Sequence, residues 1–137
     1  MLRSILAVIC GLVTWFVAAT IGNFGLRAWL PGYVAVERSM AFSTTMLCWR
    51  LVLGFVSSIA AGYVVSWIAG RRKPATDFAF AVVIVLFFLP VHYGLWSKFP
   101  IWYHVAFLGL VGPFAFLGAT LRRRQRTMQE GGAAVTG

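Results

Sequence analysis

The sequence predicts an all-α integral membrane protein, a bundle of four transmembrane helices with both termini in the cytoplasm. Three observations carry this. First, four apolar runs free of charged residues, Ile5 to Gly22, Leu51 to Gly70, Phe78 to Ser97 and Phe99 to Leu121, fill most of the 137 residues. Crossing the ~30 Å hydrocarbon layer takes about 20 residues of helix, with every backbone group satisfied inside the segment. Second, 61% of residues are hydrophobic and 11% charged, against about 45–50% and 25% in soluble domains. Third, the basic residues behind the net charge of +9 sit at the ends of the runs, not within them.

That placement sets orientation. With the N-terminus inside, Arg3, Arg71, Arg72, Lys73, Arg122, Arg123, Arg124 and Arg126 put eight positive charges on the cytoplasmic side, and Arg27, Arg38, Arg50 and Lys98 put four outside. Lys and Arg concentrate in cytoplasmic loops, so this is the favoured arrangement. Juxtamembrane clusters of this kind also attract anionic lipid head groups. A nucleic-acid partner is not expected, because its binding needs basic residues spread over a folded soluble surface.

The first helix is predicted over 4–22. Arg3 and the apolar stretch behind it resemble a secretory signal, but the run continues through Thr20 and Ile21, beyond the ~7–15 residues of a signal core. Cys10 invites a lipoprotein reading, which the bulky Ile9 opposes. Cys10 and Cys48 fall at opposite ends of their helices, too far apart for a disulfide. The link 23–39 is too polar to span, and its Trp29 and Tyr33, either side of Pro31 and Gly32, suit a segment lying at head-group level.

The second helix is predicted over 44–70, the third over 77–97 and the fourth over 100–121. Pro74 interrupts the connection before Asp77, whose charge suits a helix N-terminus. Pro100 suits a first helical turn, where its missing N–H costs nothing. These short links force antiparallel neighbours. Pro90 and Pro113 fall inside helices, where each removes a backbone hydrogen bond. Residues 1–124 form one transmembrane domain, and 125–137 read as a polar, flexible cytoplasmic tail.

Packing signals are stronger than chemical ones. Gly54, Ser58, Gly62 and Ser66 recur every four residues, forming a ridge of small side chains that lets a neighbouring backbone approach closely. Weaker versions occur at Ala7, Gly11, Ala18 and Gly22, and at Gly109, Gly112 and Gly118. The candidates for chemistry are His92 and His104, placed at similar depth on adjacent antiparallel helices. Paired imidazoles can ligate haem or a metal, though a closed metal site usually needs four ligands. Trp96 and Trp102 beside them suit an interfacial aromatic belt. Arg50, about 30 Å of helix from Gly70, is expected to snorkel to the outer interface as an anchor.

Absences bear on function. The three acids, Glu37, Asp77 and Glu130, all fall outside the apolar runs, whereas proton-coupled pumps typically need an embedded carboxylate. No zinc-protease, nucleophile-elbow or phosphate-loop motif occurs. No catalytic residue, metal site or cofactor is expected.

The segment Lys98-Phe99-Pro100-Ile101-Trp102-Tyr103-His104, continuing to Leu108, resembles small uncharacterised bacterial four-helix inner-membrane proteins in which a Lys-Phe-Pro-x-Trp-Tyr-His turn opens the last helix. The stretch from Met46 to Gly62, with Arg50, is similar too; together these cover under a quarter of the chain. The resemblance implies a bacterial inner-membrane location and no established activity. The expected function is that of a non-catalytic accessory or scaffolding subunit, or a homo-oligomer, acting through helix packing. Its partners would be membrane lipids and another membrane protein or a second copy. A haem- or metal-binding redox subunit using His92 and His104 is one alternative, and a small channel or uncoupled transporter is another.

Overall fold

The fold is that of a computed structural model, which describes residues 1–70 and 74–135. It contains α1 (Leu2–Trp29), α2 (Tyr33–Glu37), α3 (Thr44–Ala69), α4 (Pro74–Gly94) and α5 (Ile101–Val135), with no strand among the described residues. All but α2 are long and apolar enough to cross a membrane. The protein is an all-α, multi-pass membrane bundle. Arg71, Arg72 and Lys73, the basic cluster expected at one interface, lie outside the described residues.

Two helices run past their apolar stretches. α1 continues about two turns beyond Gly22, through Asn23 and Arg27, and stops where Pro31 disfavours helix in the preceding residue. Leu30 is accordingly extended, at φ −92° and ψ 114°. The interfacial segment expected over 23–39 is therefore the last turns of α1, a turn on Gly32 at φ 75° and the short α2. At the other end of the chain α5 extends to Val135, where a flexible tail was expected from residue 125. Leu121 to Gln129 consists mostly of Arg and Gln, with one Leu and one Met, all good helix formers, so leaving the apolar layer does not end the helix. The remaining boundaries follow local chemistry. Ser43 caps α3 by accepting from the Met46 N–H at 3.3 Å, Gly70 closes it at φ 85°, and Pro74 begins α4, as its fixed φ allows.

α3 and α5 form the central pair, with α1 on the far side of α3 and α4 against α5; α4 also touches α3 and meets α1 only lightly. The small-residue ridge explains the central contact. A Cβ on Gly62 would penetrate the Ala115 carbonyl of α5, and one on Gly118 of α5 would penetrate the Ile59 carbonyl of α3. Each backbone therefore occupies the space left by the other's glycine. Gly54 faces Phe107, where a Cβ would come within 2.8 Å of the ring. Ser58 turns toward α1 and accepts from the Trp15 indole N–H at 3.0 Å. The α3 ridge is used inside the chain.

Candidate ligand pocket

Below α2 the helices diverge around a cavity of about 390 Å³. Its deep wall is apolar, from Trp15 and Phe16 of α1, Leu53 and Gly54 of α3 and Phe107 of α5. Its mouth is polar, with Asn23 and Arg27 of α1, Glu37 of α2, Arg50 of α3 and Tyr103 of α5. Met40, at the uncommon positive φ of 55°, and Phe42 complete the rim.

A continuous hydrogen-bonded chain organises the mouth. The Arg27 guanidinium donates to Glu37 Oε1 from Nε at 3.2 Å and from its terminal nitrogen at 2.9 Å. Asn23 donates to the same oxygen at 3.2 Å and accepts from the Tyr33 hydroxyl at 2.7 Å. Tyr33, fully buried, accepts from Arg50 at 2.6 Å. The chain depends on the last turns of α1, because Asn23 and Arg27 stand one turn apart on one face.

The hydrogen bond from Arg27, followed by that from Asn23, holds the Glu37 carboxyl below its ordinary value of 4.5. A depressed folded value means the ion pair adds stability above the unfolded pKa and loses it as pH falls through the folded one. Wild type is accordingly expected to melt higher than Glu37→Gln at neutral pH, and the two melting curves should converge as the pH falls below 4.5 and through the depressed folded value. A gap that persists unchanged at pH 3 would mean that the charge of Glu37 is not the source of the difference.

Arg50 lies in the polar mouth, and the Glu37 oxygen there is taken by Arg27. The Arg50 guanidinium is held under Tyr33 and lies 4.7 Å from the centre of the Phe42 ring, with the Tyr103 phenol beside it. Its Nε is buried without a hydrogen-bond partner. Among the described residues no carboxylate forms an ion pair with it.

His92 and His104 do meet, as their matching depth suggested. Their Nδ1 atoms lie 2.8 Å apart, so one donates to the other and each has spent that nitrogen on its partner. Two nitrogens bound to one zinc at ~2.0–2.1 Å in a tetrahedron would stand farther apart. Ligation of one metal through both Nδ1 atoms would break this bond, and haem would have to part the rings. Trp96 stacks on His104 at 4.8 Å and Phe107 on His92 at 4.6 Å, placing the pair behind the pocket wall. His104 is fully buried and its Nε2 has no partner. No cluster of three or more His, Cys, Asp or Glu occurs among the described residues. Cys10 and Cys48 are free thiols.

The opposite end of the bundle is tied by charge. Asp77 is 2% exposed and accepts from Arg123 Nε at 2.8 Å and from its terminal nitrogen. Arg122 lies over the Tyr63 ring at 5.5 Å, and Tyr63 donates to Gln125 at 2.8 Å. Arg3 donates to the Ile68 carbonyl. Arg124, Trp96 and Trp102 are exposed.

Compared with known protein families, curated proteins and solved structures, the chain matches none.

Sequence reasoning missed the pocket. Its residues come from α1, the 37–42 segment, α3 and α5, separated by up to tens of positions. The one local signal was Asn23, Arg27, Tyr33 and Glu37 within a short stretch, more hydrogen-bonding capacity than an interfacial anchor needs.

Proposed function

We propose that the protein is a non-catalytic, multi-pass protein of the bacterial inner membrane, its termini cytoplasmic, that acts as an accessory protein by holding a small amphiphilic ligand in the cavity below α2. The observation that carries this reading is the cavity itself, apolar at depth and polar at the mouth, with the Arg50 cation at its rim, which has no acidic partner among the described residues. Pockets for small ligands combine these properties: mostly apolar walls and a few fixed polar groups. Ionisable residues within membrane helices mark functional positions by default. The charge distribution supports the orientation, and the Lys98–His104 resemblance supports the location.

Acting through self-association is less well supported. The Gly54–Ser66 ridge is consumed between α3 and its neighbours, so a second copy would need another face. The histidines support the integrity of the pocket wall, since they bond to each other behind Phe107 and Tyr103.

Native mass spectrometry of the full chain released from its own membrane tests this. Wild type should retain a bound small molecule, and Ala19→Trp, which places an indole in the cavity from its partly buried α1 wall, should not. Equal retention by both, with both folded by circular dichroism, would overturn the reading.

A further inference from the structure

We infer that the cavity selects a single-chain amphiphile bearing an anionic head, carboxylate or phosphate, received by Arg50, with its apolar chain between α1 and α5. The inference rests on the ligand-binding reading above and adds the charge, polarity and size class of the ligand.

The charge follows from which cation is already satisfied. Arg27 is neutralised by Glu37 through two hydrogen bonds, and Glu37 also accepts from Asn23. Arg50 has two neutral phenols, Tyr33 and Tyr103, and the Phe42 ring for company, with a buried, unused Nε–H. A guanidinium withdrawn from water without a counter-charge is costly. An anion at the mouth would supply that charge, and the planar fork of Arg matches two oxygens of a carboxylate or phosphate. A cationic head finds no such vacancy, because Glu37, the only carboxylate at the rim among the described residues, is already paired.

The polarity follows from the distribution of hydrogen-bonding groups. They cluster at the mouth. At depth the polar pair, the Trp15 indole N–H and the Ser58 hydroxyl, is bonded to itself at 3.0 Å, and Ser58 in turn donates to the Gly54 carbonyl at 2.7 Å. The Thr20 hydroxyl, about one turn below Asn23, is a further polar group of the lining, and the wall below it is apolar, so most of the buried part of the ligand is apolar. The volume of about 390 Å³ lies near the lower end of the ~300–1,000 Å³ range of small-molecule pockets. That suits one chain or one ring system better than the paired chains of a phospholipid.

Binding of radiolabelled decanoate, decyl phosphate and decanol to the full chain in phosphatidylcholine nanodiscs, corrected by empty nanodiscs, tests the assignment. Wild type should bind at least one of the two anions roughly tenfold or more tighter than decanol, the range that charge-assisted hydrogen bonds provide. The tighter of the two anions identifies a carboxylate or a phosphate ester as the head group. Arg50→Gln should bring the anions down to the level of decanol, and Arg50→Lys should recover part of the preference. Ala19→Trp should abolish binding of all three. Equal affinity of wild type for decanol and both anions, a result independent of whether any variant folds, would overturn the inference. So would an anion preference that survives in Arg50→Gln. If Ala19→Trp still blocks binding in either case, the ligand-binding reading stands without the charge assignment. If Ala19→Trp leaves all binding unchanged, the cavity is not the site and both fail.

Discussion

Arg123→Gln is expected to destabilise the bundle by about 3 kcal/mol or more, the cost of leaving one member of a buried ion pair without its partner. The carboxylate it strands is deeply placed: the Asp77 side chain is 1% exposed, whereas that of Arg123 is 32% exposed. This asymmetry makes the prediction specific. Asp77→Asn should cost less, because the arginine it releases already reaches solvent and can extend toward head groups. The double variant should be more stable than Arg123→Gln alone, since the second change removes the uncompensated charge. Thermal melting of the four proteins in detergent forms a double-mutant cycle. If Arg123→Gln melts with wild type, Asp77 is solvated in the membrane and the pair does not hold α4 to α5.

Gly62→Ile should be destabilising by about 1–3 kcal/mol or beyond, the usual cost of overpacking, while Gly109→Ile should be nearly silent. Both replace a helical glycine with the same side chain, so intrinsic propensity cancels. Their surroundings are opposite. A Cβ at Gly62 penetrates the Ala115 carbonyl, which is backbone and cannot rotate away, whereas nothing lies within 4 Å of a Cβ at Gly109. To admit even the first carbon, α3 and α5 must separate, losing the van der Waals contacts that hold membrane helices together where lipid gives no hydrophobic drive. Melting temperatures of the two variants in the same detergent decide the matter. Equal behaviour would show that the α3–α5 contact is not as close as the paired glycines imply.

Hydropathy located the spans because it reports the solvent around a segment, and it did so at every one of the four. It placed the ends of α1 and α5 less well for the same reason. Asn23 and Arg27 are polar, and so is the stretch after Leu121, yet a helix that leaves the hydrocarbon layer keeps its hydrogen bonds and has no reason to stop there. For α1 a conformational signal ended it, Pro31 just after its C-cap Leu30. The meeting of His92 and His104 was legible because a tight turn makes residues equidistant from it neighbours. What they do on meeting was not, since a spacing cannot distinguish a shared ligand from a shared proton.

The sequence by itself determined the class of the protein, its four spans and the close approach of α3 to a neighbour, because these depend on local composition and on the repeat of small residues along one helix. Which neighbour fills the ridge, and which partner each arginine takes, only the tertiary structure decided. Glu37 stands within reach of three arginines in the sequence, Arg27, Arg38 and Arg50, and the choice of Arg27 follows from the extra turns of α1 that carry it over α2. That choice leaves Arg50 to a phenol and a cavity. A cavity lined from four separate segments exists only once the helices are packed, since no local stretch of the sequence carries its lining.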